Sequence, residues 1–167
     1  SALGRRVQYT ENEKTRIEFD DGLSIVDLEP GGAVNRLYVF LPDGYSPVLT
    51  LVTTDEGSIP YFFHVDHLST PQYVTNAEGN VVWSATYEPY GRIASENRDV
   101  DGDGQDFVQP IRFPGQFALG GDDCDMYYNK HRYYFSRWGI YGKLDPLHWG
   151  IRQDTSSSGM TRYAYAW

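Results

Sequence analysis

The sequence predicts an all-β fold built from antiparallel hairpins, and three observations carry that prediction. Along the run from Val81 to Tyr87, Val81, Trp83, Ala85 and Tyr87 alternate with Val82, Ser84, Thr86 and Glu88. A period of two in β-branched and aromatic residues is the signature of a half-buried strand. Turn signals built on Gly, Pro and Asp recur along the first half of the chain at intervals of roughly 10–20 residues. No stretch long enough for a helix keeps a 3.6-residue period between them.

The elements follow from these signals in order. Arg16 to Phe19 runs into Asp20-Asp21-Gly22, and Leu23 to Leu28 is closed by Pro30-Gly31-Gly32. Val34 to Leu41 ends at Pro42-Asp43-Gly44, and Val48 to Thr53 ends at Asp55-Glu56-Gly57. Asp-Gly and Pro-Gly pairs reverse the chain because Gly takes positive φ cheaply and Pro presets the turn. Tyr61 to Gly91 holds two strands around Asn76-Ala77-Glu78-Gly79-Asn80 and stops at Pro89-Tyr90-Gly91. A polar segment, Ala94 to Gln109, is expected to interrupt the strands. They resume with Ile111 to Phe113 and with Tyr127 to Phe135, read as one strand placing Tyr127, Asn129, His131, Tyr133 and Phe135 on one face. Beyond Asp145-Pro146 the chain turns Trp-, Gly- and Ser-rich.

A weak internal repeat joins these pieces. Gly32-Ala33-Val34, Gly57-Ser58-Ile59 and Gly79-Asn80-Val81 each precede an aromatic run. Periods of this size mark architectures in which each unit covers its face with the next.

Composition narrows the function. The 167 residues carry a formal net charge of −9, which repels phosphate backbones and argues against nucleic-acid binding. No apolar run approaches the ~18 residues of a membrane span. Aromatic residues make up 16% of the chain, enough to supply a core. Cys124 is the single cysteine, set among Asp122, Asp123 and Asp125, which oppose thiolate chemistry.

Four ordered blocks carry a family resemblance. They are Asp66-His67-Leu68-Ser69-Thr70-Pro71, Gly79 to Gly91 with its Val81, Trp83, Ala85 and Tyr87, Ile111-Arg112-Phe113-Pro114-Gly115-Gln116-Phe117, and Met126 to Tyr134. Together they resemble the RHS repeat-associated core of RHS/YD-repeat proteins, with Ser69 where that family usually has Gly. The resemblance implies a β-sheet spiralling into a hollow shell, of which this chain is a C-terminal portion. It implies YD-type repeat strands over residues 1–60, the core over 61–150 and a closing segment over 151–167. It also implies partners: the remainder of the repeat array and a C-terminal cargo domain, in a secreted or cell-surface protein.

Candidate chemistry is sparse. In RHS relatives the core ends near Asp-Pro-x-Gly and many members cut themselves by an aspartate-dependent reaction. Asp145-Pro146-Leu147-His148 resembles that motif with His148 at the Gly position, so Asp145 is the catalytic candidate; its other reading is a turn cap before Pro146. A two-carboxylate mechanism needs a second acid of split pKa close by. Phe135 stands where the family has an aspartate, and Asp154 is the substitute in reach of the sequence.

Asp99, Asp101 and Asp103, followed by Gly104, imitate the first half of a calcium loop, in which alternate carboxylates converge on a hard cation. Pro110 occupies the position of the closing bidentate Glu, and a solvated acidic loop is the other reading. His64, Asp66 and His67 converge poorly on a strand, so Asp66 is expected to cap a local turn ahead of Thr70-Pro71. His131 is expected to be a buried polar residue, and the Tyr and Trp stripes to pack a wall rather than to bind sugar. No nucleophile triad, phosphate loop or zinc motif occurs, and no organic cofactor is implied.

Three functions follow. The first is a structural segment of an RHS/YD-repeat shell that encloses or presents a C-terminal toxin-type polypeptide. The second is an extracellular fibre or adhesion module that self-associates through strand edges. The third is the cis-acting aspartyl autoprotease of such a shell.

Overall fold

A computed structural model describes residues 8–11, 14–18, 24–119, 125–129 and 131–144. Cys124, Asp145, His148, Asp154 and the closing segment 151–167 lie outside the described residues.

Nine strands form one sheet in strict sequence order: β1 (Gln8–Glu11), β2 (Lys14–Glu18), β3 (Ser24–Leu28), β4 (Val34–Phe40), β5 (Pro47–Thr54), β6 (Gly57–Val65), β7 (Pro71–Thr75), β8 (Val81–Tyr87) and β9 (Ile93–Asn97). Every neighbouring pair is antiparallel. A second sheet of five short strands follows the same rule: β10 (Ile111–Arg112), β11 (Gln116–Ala118), β12 (Met126–Asn129), β13 (Arg132–Phe135) and β14 (Ile140–Tyr141). Among the described residues there is no helix. The expected all-β class and antiparallel hairpins are therefore observed.

One turn design recurs in the large sheet. In Glu29–Ala33, Asp66–Thr70, Asn76–Asn80 and Glu88–Arg92, the first N–H reaches the fifth carbonyl and the fourth N–H returns to the first. The fourth residue is left-handed each time: Gly32, Ser69, Gly79 and Gly91 have φ of 89°, 63°, 88° and 80°. After each turn the next strand carries an unpaired extra residue, Asn35, Gln72, Val82 or Ala94. This three-residue loop with a bulge increases the local right-handed twist. The β5–β6 hairpin differs, closing Thr54 on Gly57 around Asp55-Glu56 in unbroken register. A meander that bulges at most of its turns curls rather than lying flat.

The repeat seen in the sequence is one hairpin long. Gly32, Gly57 and Gly79 stand before or at the start of β4, β6 and β8, so the unit spans two strands. These even strands send Tyr38, Tyr61, Phe63, Trp83 and Ala85 to one face, beside Ile25, Thr50 and Val74 from the strands between. Phe107, Ile111 and Phe117 cover that face and complete the main core. Phe117 meets Tyr38 edge-on at 5.7 Å between ring centroids, a geometry the ring quadrupoles favour.

Three expectations need correction. Tyr127 to Phe135 is a hairpin rather than one strand: Asn129 pairs with Arg132 and Tyr127 with Tyr134, so Tyr127 and Tyr133 lie on opposite faces. Aromatic alternation could not reveal this, because the pattern reads alike on both sides of a tight reversal. His131 accordingly sits half-buried at the reversal instead of inside a strand. Second, Ile93–Asn97 is strand β9, so the polar interruption starts at Arg98; its Ser and Asn side chains occupy the uncovered face. Third, the bulge at Val82 takes Val81 out of the Trp83–Ala85 stripe and pairs it with Thr75.

Candidate functional site

Past β9 the chain leaves the sheet and returns at β10, and the loop between them carries the acidic residues. Its base is closed by the Phe107 N–H on the Arg98 carbonyl at 2.7 Å. Phe107 anchors it, packed on Tyr61 at 4.6 Å and under the Arg36 guanidinium at 4.9 Å. Arg36 also donates to the Val108 carbonyl.

Beneath the loop lies an ion cluster that sequence reading missed. Glu96 accepts the Trp83 indole N–H at 2.9 Å on one oxygen and the Arg98 Nε–H at 2.9 Å on the other. Arg112 lies 3.6 Å from the same carboxylate and donates to the carbonyls of Gln109 and Ile111. A buried Arg needs such a set of acceptors, since an unpaired charge in the interior is costly. Trp83 and Arg112 belong to the blocks singled out in the sequence. Glu96 carried no signal, because its role depends on β9 pairing with β8.

The structure brings Asp99, Asp101 and Asp103 together, with one oxygen from each within 4.8 Å of the others. Asp99 Oδ2 accepts the Gly104 N–H at 3.2 Å, and Asp103 Oδ1 accepts that of Gln105 at 2.7 Å. Asp99 Oδ1 is buried without a protein hydrogen-bond partner. The cluster offers three hard oxygen donors and one acceptor aimed away from the solvent, a partial set for a calcium-type ion.

His64, Asp66 and His67 form no cluster of ligand atoms among the described residues. Asp66 Oδ1 accepts the N–H groups of Leu68 and Thr70, both at 2.9 Å, as its capping reading requires. His64 is exposed and contacts Thr75 Oγ1 at 3.0 Å, while His67 is exposed in the turn. Ser69 takes the left-handed position and points its hydroxyl at Ser46 Oγ, 2.6 Å away. Ser46 in turn donates to Asp43, so Ser69 is the donor, and two neighbouring turns are tied together.

The small sheet grips the β8–β9 turn. Tyr127 and Tyr134 donate to the carbonyls of Gly91 and Tyr90 at 3.2 and 2.8 Å. Asp125 holds both Arg92, at 3.0 Å, and Arg137, at 2.8 Å. Tyr127, Tyr134 and Tyr141 form the small sheet's own core and Tyr128 is buried, so these pack a wall as expected, whereas Tyr133 and Trp138 are exposed. Burial pushes the phenols of Tyr87, Tyr127 and Tyr134 above their ordinary range, and Tyr38 up to about 12. These tyrosines stay neutral donors at neutral pH. On the other side of the large sheet's core, Arg16 pairs with Asp27 through two bonds of 2.5 and 2.8 Å, its guanidinium 4.4 Å over Phe117.

An antiparallel meander with a small sheet clasped to its last turn defines a β-repeat wall. The family model described as RHS protein matches residues 61–97 of this chain. The chain is 31% identical over 169 residues to double-stranded DNA deaminase toxin A of Burkholderia cenocepacia, covering 87% of this chain and 12% of that protein. It is 35% identical over 105 residues to toxin protein Tse5 of Pseudomonas aeruginosa, covering 63% of this chain and 7% of the relative. Two solved structures share the fold at a TM-score of 0.62: the Photorhabdus luminescens Tc holotoxin pore, at 16% identity, and a TcdB2–TccC3 complex, at 17%. Each covers 98% of this chain, which matches 8% of the solved chain. The chain thus corresponds to a small part of much longer toxin-associated proteins. Among the described residues no helix is long and apolar enough to cross a membrane.

Proposed function

We propose that this chain is a wall segment of an RHS/YD-repeat shell that encloses or presents a C-terminal toxin-type polypeptide in a secreted or cell-surface protein. One observation carries the reading: each strand of the large sheet pairs only with its sequence neighbours, so the wall lengthens by adding hairpins. Strand β1 has one described neighbour, which leaves an edge to which the remainder of the array would add. The relatives' toxin names support the cargo part of the reading. Deaminase activity belongs to a protein of which this chain spans 12%, and is not carried over.

The test is limited proteolysis of the parent protein. A polypeptide enclosed downstream is expected to survive protease while the shell is intact and to be cut once the shell is unfolded. Equal digestion in both states overturns enclosure. Release of that polypeptide by Asp145 is tested separately: intact mass should show a processed terminus that Asp145→Asn abolishes, and equal processing in both removes Asp145 from the chemistry.

The loop of Asp99, Asp101 and Asp103 is proposed as a calcium site of this wall, with water completing the coordination. Two carboxylates about 4 Å apart repel by about 4 kcal/mol at an effective dielectric of 20, and a divalent cation offsets that. Calorimetric titration with calcium should give a binding signal that the double variant Asp101→Ala, Asp103→Ala loses. A parent protein without that signal has no site here.

A further inference from the structure

Within the described residues three Asp-Gly pairs occur, Asp43-Gly44, Asp101-Gly102 and Asp103-Gly104; a fourth, Asp21-Gly22, lies outside them. An aspartate followed by glycine is the sequence most open to attack of the side-chain carboxyl by the next backbone nitrogen, because glycine puts no side chain in the way. Two of the pairs are locked. The Gly44 N–H is spent on the Leu41 carbonyl at 2.8 Å. Asp43 holds its carboxylate on the N–H groups of Tyr45 and Ser46, at 2.8 and 2.9 Å, and on the Ser46 hydroxyl. The Gly104 N–H is held by Asp99 Oδ2, and Asp103 is turned to the Gln105 N–H.

Asp101-Gly102 has none of these restraints. No hydrogen bond reaches the Asp101 carboxylate or the Gly102 amide among the described residues. Both residues are exposed, and no atom lies within 4 Å of the place a Gly102 side chain would occupy.

We propose that Asp101-Gly102 is a site of spontaneous covalent modification, converting Asp101 to isoaspartate in the folded protein. The Gly102 nitrogen attacks Cγ of the Asp101 carboxyl. The new N–Cγ bond forms as the carboxyl hydroxyl and the amide proton leave together as water, giving a cyclic succinimide. Water then reopens the ring. Cleavage of the N–Cγ bond restores aspartate, whereas cleavage between the nitrogen and the Asp101 backbone carbonyl routes the main chain through the side chain. Mass is unchanged overall, but the backbone gains a methylene and the free carboxylate moves away from Asp99 and Asp103.

The experiment incubates the purified parent protein, with calcium removed by a chelator, at physiological pH and temperature. Isoaspartate is read at each pair by electron-transfer fragmentation of peptides, and its total by methyl transfer from S-adenosylmethionine catalysed by protein L-isoaspartyl methyltransferase. Isoaspartate should accumulate at Asp101 well ahead of Asp103 and Asp43, and in urea-unfolded protein the three should react alike. Asp101→Glu should remove the leading signal, while Asp99→Ala, which frees the Gly104 N–H, should raise the signal at Asp103. Accumulation at Asp103 or Asp43 as fast as at Asp101 in the folded protein overturns the proposal. So does the same order of sites in the unfolded chain, which would assign the difference to sequence rather than to the fold.

Discussion

The two sheets solve the same problem differently. The large sheet spends five to nine residues on most strands and repeats one turn, so its aromatic residues line one continuous face, which Phe107, Ile111 and Phe117 cover. The small sheet has strands of two to four residues, too short to stand on cross-strand pairs alone. Its stability comes from what it grips: the β8–β9 turn, the Tyr45 backbone and the aromatic face of the large sheet. The large sheet is a repeating wall, and the small one is a clasp shaped to a single place on it.

Glycines show the contrast. A Cβ at Gly31, in a turn of the large sheet, would meet nothing within 4 Å. At Gly115, between β10 and β11, it would stand 2.5 Å from the Tyr45 carbonyl oxygen. At Gly91 it would strike the Phe113 side chain at 2.6 Å, and at Gly139 the Tyr90 ring at 2.7 Å. Glycine in the wall serves backbone conformation; glycine at the clasp also serves close approach.

The largest expected effect is from Trp83→Ala, which removes a ring with no exposed surface and the indole donor to Glu96. Loss of about 3–5 kcal/mol is expected, read as a lower urea midpoint of the parent protein. A loss below 1 kcal/mol would mean that the aromatic face is not the common core of the two sheets.

Next come the glycines. Gly115→Ala should cost about 3 kcal/mol, because the left-handed backbone and the Tyr45 contact both resist a side chain. Gly31→Ala should cost only about 1–2 kcal/mol, the conformational part alone. Equal losses in paired denaturation curves would erase the distinction between wall and clasp.

The smallest effect concerns Ser69, the one non-glycine with positive φ among the described residues. Ser69→Ala keeps the strained backbone and loses the bond to Ser46, costing about 1 kcal/mol. Ser69→Gly loses the same bond but relieves about 1–2 kcal/mol of left-handed strain, so it should equal or exceed the parent in stability. A glycine variant less stable than the alanine variant would contradict this account.

Much of the wall was legible because its signals are local. Gly32, Gly79 and Gly91 mark turns that only a left-handed residue can close, and the alternation around Trp83 fixes which side is buried. Asp66 was readable for the same reason, since the N–H groups it caps, on Leu68 and Thr70, lie within four residues. The bulge that turns Val81 away left no mark, because it changes register without changing the order of residue types. The acidic triplet was legible as a pattern, while its convergence to 4.8 Å rests on the Phe107 anchor and the Arg98 base of the loop.

By itself the sequence determined the class of the fold, the turns and the hairpin repeat, all of which depend on contacts between residues near each other in the chain. Tertiary structure alone decided that Tyr127 and Tyr133 face opposite ways, that Glu96 joins Trp83, Arg98 and Arg112, and that the β8–β9 turn is what the small sheet holds. The first depends on a tight reversal that aromatic alternation does not mark. The second depends on the register of β9 against β8 and the return of Arg112. The third depends on two sheets meeting, which no local pattern of side chains encodes.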